Sequence, residues 1–148
     1  MTTTTDATTT RATSAVSWRS TATAAAVGAA GALVINTVIA QLGRTLFDVP
    51  AEFQQLGPAV YGPLTVLGAI AGAVGWHLIV ARSRNATRVL RTLVPTVLLL
   101  SLIPDVLLLL TRSQPGTTTA GVLALMLMHL GVAAAAVPAY RRYTPPQS

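Results

Sequence analysis

Four apolar stretches, each long enough to cross a lipid bilayer, divide this 148-residue chain. They cover residues 22–42, 59–81, 92–110 and 120–140. A helix that rises about 1.5 Å per residue needs about 20 residues to cross a hydrocarbon core of roughly 30 Å. Because a spanning helix satisfies its own backbone hydrogen bonds, the sequence predicts an all-α fold, an integral membrane four-helix bundle.

The composition supports a membrane protein and removes several kinds of chemistry. Hydrophobic residues make up 52% of the chain and charged residues only 9%, against about 25% charged in soluble domains. There is no cysteine, which excludes disulfides, thiolate metal sites and thiol catalysis. Neither a Gly-rich phosphate loop nor a nucleophile elbow occurs. We therefore expect no enzyme, no cofactor and no metal site.

The two ends of the chain differ from the apolar stretches. Residues 1–21 are rich in Thr, Ser and Ala without apolar periodicity, so we predict a disordered N-terminal tail. Residues 141–148 form a second tail. The first apolar stretch exceeds the roughly 7 to 15 residues of a secretory signal, which predicts an uncleaved first helix and a single four-helix domain over residues 22–140.

The arginines predict how the chain is oriented. All ten basic residues are arginine, and only Arg44 and Arg112 fall on one side of the predicted membrane. Since cytoplasmic loops carry the basic excess, we expect both termini to be cytoplasmic and the protein to be multi-pass in the bacterial inner membrane, its cell membrane. The net charge of +6 is then a topology signal, and a nucleic-acid-binding function, which would need a basic groove on a soluble fold, is disfavoured.

Small residues predict how the helices pack. In lipid, close approach of two backbones supplies much of the attraction between helices. The first helix carries a stripe in steps of four that should face protein: Ala24, Gly28, Ala32, Asn36 and Ala40. The second helix has a Gly68 and Gly72 pair beside a row of Ala69, Ala73 and His77, and the fourth is rich in small residues between 131 and 136.

The third stretch contains the most unusual residue, Asp105, among leucines. At mid-helix an aspartate costs about 2.5 to 3.5 kcal/mol on insertion scales, which the surrounding Leu, Ile and Val residues offset. Pro104 cannot donate a backbone hydrogen bond, so it should kink this helix just before Asp105 and free the Leu100 carbonyl.

Depth places four polar side chains in one layer of the bundle. At 1.5 Å per residue, Asn36 and Asp105 lie about 5 to 6 Å outside the bilayer centre and His129 lies close to it. Ser101 is one turn from Asp105. We predict a buried intramembrane cluster of these four residues. Its favoured role is a polar lock that fixes helix register, and its alternative role is a proton or substrate site, because intramembrane Asp and His can share a proton.

The outer loop, residues 43–58, alternates apolar and acidic side chains. Leu46, Phe47, Val49 and Phe53 interleave with Asp48 and Glu52. This pattern predicts a short amphipathic segment in the membrane interface that shields the end of the bundle.

Several short motifs resemble a known family. They are the Asn-bearing first helix, the Pro104-Asp105 step, and Met128-His129-Leu130 followed by small residues and Val137-Pro138. Over residues 20–143 the chain resembles small actinobacterial four-helix membrane proteins, domain of unknown function 6069. The resemblance implies a fold and a membrane, and no activity.

Two functions remain open from the sequence. The favoured one is a non-enzymatic accessory or scaffolding component whose polar cluster is structural. Its partners would be the lipid bilayer and either a second copy of the chain or another membrane protein. The alternative is a proton-linked transporter of a small solute that uses Asp105 and His129. The first is favoured because the chain lacks the inverted repeat and paired broken helices common in transporters.

Overall fold

The computed structural model describes residues 16–146 and shows five α-helices that form four spans. The helices are α1 (Trp18–Leu46), α2 (Pro58–Arg82), α3 (Ala86–Ser101), α4 (Ile103–Thr111) and α5 (Thr119–Tyr143). Helices α3 and α4 together form one apolar segment, so four segments are long and apolar enough to cross a membrane. The described part of the chain contains no strand. The all-α, four-span fold is therefore confirmed.

Several helix ends differ from the predicted limits. The largest difference is in the third span, which begins at Ala86 and not at residue 92, because the Asn85 side chain caps it by accepting a hydrogen bond from the Arg88 backbone N–H. Helix α1 begins at Trp18 and not at residue 22, because the Ser17 side chain caps it by accepting a hydrogen bond from the Ser20 backbone N–H at 3.1 Å. Helix α5 continues to Tyr143. Residues 1–15 and 147–148 lie outside the described residues. Most of the predicted N-terminal tail is therefore not described.

The closest helix pair is α1 against α5. A Cβ added to Gly28 would lie only 3.1 Å from the Ala136 Cα, and one added to Gly31 would lie 3.2 Å from the Ala135 Cβ. Glycine is needed at Gly28 because the atom in its way is backbone and cannot rotate aside. All five members of the predicted α1 stripe are buried. The expectation that this stripe faces protein is confirmed.

Helix α2 packs through the row beside its glycine pair. Ala69 and Ala73 are buried, whereas a Cβ on Gly68 would meet nothing within 4 Å. At Gly72 an added Cβ would lie 2.9 Å from the Tyr140 hydroxyl oxygen. The second span is therefore held by its alanines and by Tyr140 of α5, and Gly68 faces away from the described protein.

The third span is broken where Pro104 predicts it. Helix α3 ends at Ser101 and α4 starts at Ile103. The Leu102 backbone N–H donates to the Leu99 carbonyl at 3.2 Å, a tighter turn than an α-helix makes. Pro104 then sits in the first turn of α4, where its missing N–H is tolerated. The predicted kink just before Asp105 is confirmed.

The outer loop closes one end of the bundle. Val49, Phe53 and Leu56 are buried, the last in a short 3-10 helix (Gln54–Leu56), while Phe47 is exposed. The Phe53 ring lies against Gly121, where an added Cβ would come within 2.9 Å of it. The loop therefore inserts apolar side chains between the helix ends and does not simply lie flat in the interface.

At the other end of the bundle both ends of the described chain meet α2. The Trp76 indole N–H donates to the Thr144 carbonyl at 2.8 Å, and the Trp18 ring stacks on the His77 ring with centroids 3.9 Å apart. This end also carries most of the arginines, and we call it the arginine-rich end. Its members in the described chain are Arg19, Arg82, Arg84, Arg88, Arg91, Arg141 and Arg142.

The α1 and α5 contact predicts a position-specific cost for added volume. We expect Gly28→Val to lower the free energy of unfolding in detergent by about 1–3 kcal/mol, because the new side chain meets the Ala136 backbone. Gly68→Val is the matched control, since it adds the same side chain where nothing lies within 4 Å. Thermal and denaturant unfolding of both variants checks the difference, and equal stability would contradict it.

Candidate intramembrane polar site

The third span is joined to α5 through Asp105 and His129. The Asp105 Oδ2 lies 3.1 Å from the His129 Nδ1. Asp105 is the one buried residue of α4, whereas the His129 side chain is 38% exposed. The contact thus places the acid on the protein-facing side of α4 and the imidazole at the edge of the bundle.

The hydrogen on His129 Nδ1 is directed mainly to the backbone. Nδ1 lies 2.9 Å from the Leu125 carbonyl oxygen, one turn earlier on α5. A carbonyl only accepts, so Nδ1 must carry the hydrogen in this bond. Asp105 Oδ2 is buried without a hydrogen bond of good geometry among the described residues. The contact with Asp105 is therefore mainly electrostatic, and the carboxylate retains accepting capacity.

Asn36 lies at a different helix contact. Its Nδ2 donates to the Thr65 Oγ1 of α2 at 2.8 Å, and both residues are buried. Its Oδ1 has no hydrogen-bond partner in the described part of the chain. A Cβ on Gly131 would lie 3.3 Å from that oxygen, so Asn36 packs against α5 while it bonds to α2. Asn36 of α1 therefore contacts both α2 and α5.

Ser101 bonds within its own helix. Its hydroxyl donates to the Leu98 carbonyl at 2.7 Å, close to the point where α3 ends. Among residues 16–146 no hydrogen bond joins Asn36 or Ser101 to the Asp105 and His129 pair. The predicted cluster is thus divided: Asp105 and His129 meet, Asn36 meets Thr65, and Ser101 stabilises the helix break.

A third polar contact between helices, which the sequence did not predict, lies at the arginine-rich end. The His77 Nδ1 is 2.7 Å from the Thr21 Oγ1, and both side chains are buried. The Thr21 hydroxyl also lies 3.2 Å from the Ser17 carbonyl, to which it donates. The predicted tail included Thr21, so the sequence predicted no partner for His77. Ser17 is a typical N-cap residue, and a helix that begins after it includes Thr21.

These sites offer few ligands for a metal. Within residues 16–146 no group of three or more His, Cys, Asp or Glu side chains could hold a metal ion. Chemically, the Asp105 and His129 pair can hold two helices together, or it can bind and release a proton.

The family assignment agrees with this architecture. A family model, described as a family of unknown function, DUF6069, matches residues 14–145. The chain belongs to DUF6069. The match covers every span of this DUF6069 protein and the Asp105, Asn36 and His77 contacts between its helices, so the family resemblance indicated by the sequence motifs is confirmed. No curated protein and no solved structure matches the chain.

A double-mutant cycle on Asp105→Ala and His129→Ala tests whether the pair stabilises the fold. We expect a coupling of about 1–2 kcal/mol in the unfolding free energy, at the upper end for polar contacts in membrane proteins. Ser101→Ala with His129→Ala is the control cycle and should be additive within about 0.5 kcal/mol, since Ser101 bonds to Leu98. Additive effects in the first cycle would show that the 3.1 Å contact contributes nothing to stability.

Loss of the Asn36 partner should also destabilise the bundle. Thr65→Val removes the acceptor of the buried Asn36 amide and is expected to cost about 1–2 kcal/mol. Thr96→Val is a matched control: that hydroxyl is exposed and donates to the Thr92 carbonyl of its own helix, so the change should stay below about 0.5 kcal/mol. Unfolding in detergent measures both, and a silent Thr65→Val would contradict the role given to Asn36.

Proposed function

We propose that this DUF6069 protein is a non-enzymatic accessory or scaffolding component of the bacterial cell membrane. The observation that carries the proposal is the sparse packing of the third span. In the most apolar 18-residue segment of this span only 6% of the residues are buried, against 28–33% in the corresponding segments of the other three spans. The span is held at its ends and at Asp105, and it leaves a long apolar face for lipid or for another protein.

The uncovered face of the third span is continuous along both of its helices. Its large side chains that are at least half exposed include Val97, Leu99, Leu100, Ile103, Leu107 and Leu110. The Asp105 and His129 contact fixes which side of α4 faces α5, so it also fixes which side faces outward. In this proposal the polar pair is structural: it orients a surface on which a second copy or another membrane protein can pack.

The proposal includes an orientation in which both termini are cytoplasmic. Support comes from the arginine-rich end, where Trp18 and Thr144, near the two ends of the described chain, contact α2. At the opposite end of the four spans, the described chain carries only Arg44 and Arg112. An excess of basic residues on one side is the usual mark of the cytoplasmic side.

A proton-linked transporter of a small solute is the second candidate. The observation that favours it is the position of a titratable pair beside a helix break, since transporters place ion sites at discontinuous helices. In that function Asp105 would exchange a proton with the solute pathway and His129 would tune it.

One experiment separates the two candidates. A photocrosslinking residue at Leu107, on the uncovered face of α4, should give an adduct with a protein of one defined mass in cell membranes. We expect Asp105→Asn to abolish this adduct, because α4 loses its anchor on α5. The matched control position is Val34 of α1, which is also exposed and whose adducts should not change with Asp105→Asn.

Two results would contradict the scaffold function. The first is a Leu107 adduct pattern that contains lipid alone. The second is proton uptake into liposomes that contain the purified protein, above that of empty liposomes and lost in Asp105→Asn. The latter result would favour the transporter.

A further inference from the structure

A cleft of about 300 Å³ opens at the arginine-rich end between α2, α3 and α5. Its lining residues are Trp76, Thr87, Leu90, Arg91, Arg141 and Pro146. The volume is at the lower end of the range for small-molecule sites, about 300–1,000 Å³. The cleft is separate from the Asp105 and His129 pair, and none of its residues belongs to the predicted polar cluster.

The cleft contains two cationic groups that have no carboxylate partner among residues 16–146. Arg91 comes from α3 and Arg141 from α5, and both are exposed. The carboxylates of the described chain lie elsewhere: Asp48 and Glu52 are in the outer loop at the opposite end, and Asp105 contacts His129. Among residues 16–146 no ion pair with a carboxylate involves an arginine. Two arginines from different helices therefore line a space that attracts an anion.

The floor of the cleft is apolar. Leu90 and Trp76 are buried, and the one polar atom of the Trp76 ring already donates to the Thr144 carbonyl. The indole thus offers the cleft an apolar surface and no free donor. This site combines two arginines with two buried apolar side chains at the ends of membrane-spanning helices. It therefore fits an amphipathic anion better than a fully hydrated one.

We propose that this cleft binds an anionic phospholipid, with the phosphate between Arg91 and Arg141 and the glycerol and first acyl carbons against Leu90 and Trp76. The bound lipid joins the cytoplasmic ends of α3 and α5. The third span is otherwise sparsely packed, so this lipid supplies an attachment in addition to the Leu90 and Asp105 contacts. The inference concerns a separate site and holds whether the protein is a scaffold or a transporter.

The test is lipid retention by the full chain. Wild-type protein and variants are reconstituted in nanodiscs of phosphatidylcholine with a minor fraction of phosphatidylglycerol, extracted in mild detergent, and weighed by native mass spectrometry. We expect Arg91→Gln with Arg141→Gln to reduce retained phosphatidylglycerol at least about tenfold, since each arginine near an anionic lipid contributes about 1 kcal/mol. Arg84→Gln with Arg88→Gln is the control, because it removes the same charge from the same end outside the cleft.

One additional double variant and one competing ligand complete the test. Arg91→Lys with Arg141→Lys keeps the charge and should recover part of the binding, which separates loss of charge from loss of folding. Inorganic phosphate is the competing probe and should neither displace the lipid nor raise the melting temperature at millimolar concentration. Equal loss of lipid in the cleft variant and the control variant would overturn the proposal. Phosphate that stabilises wild type as well as phosphatidylglycerol does would overturn the assignment to a lipid.

Discussion

The contact between α1 and α5 is the interaction on which the rest of the structure depends. Lipid tails are as apolar as leucine, so two helices gain little by burying large apolar side chains against each other. They gain by bringing their backbones close, and Gly28 opposite Ala136 permits that approach. With α1 and α5 in contact along their length, the other elements are positioned by this pair: α2 through Tyr140 and Asn36, and the outer loop through Gly121.

The third span is held to the bundle by a different kind of interaction. It has few small residues and many leucines, so it cannot approach another helix closely. Its attachment consists of specific contacts: Leu90 packs against the core near Trp76 and Tyr140, and Asp105 contacts His129. Between them the helix breaks at Leu102, where α3 ends and α4 begins. A carboxylate in such a position is costly in lipid, and the protein-facing location of Asp105 reduces that cost.

Much of this fold could be predicted from sequence. Bilayer thickness and helix rise together set the length of a span, and the spacing of small residues can be read within a single helix. Length fixed the four spans, the steps of four from Ala24 to Ala40 identified the buried face of α1, and Pro104 located the break. Which side chains meet depends on how each helix is rotated about its own axis. The depth of a residue in the membrane does not determine that rotation. Depth predicted Asn36 and His129 in one layer, yet Asn36 bonds to Thr65 and His129 contacts Asp105. Thr65 had no sequence signal, since a single threonine in a spanning helix usually bonds to its own backbone.

The two ends of the bundle show why the polar pair alone does not define the function of the protein. At the outer-loop end Phe53 and Leu56 are fully buried between the helix ends, and a cleft of about 420 Å³ beside them is lined by Glu52, Gln54 and Gln55. The cleft at the arginine-rich end is lined instead by two arginines. The two ends of the bundle therefore differ in the charge of their clefts. Alternating access requires both ends to open in turn, so the outer loop would have to withdraw Phe53 from Gly121 in each cycle. A fixed component needs no such movement, and the close contact of Phe53 with Gly121 therefore favours a scaffold.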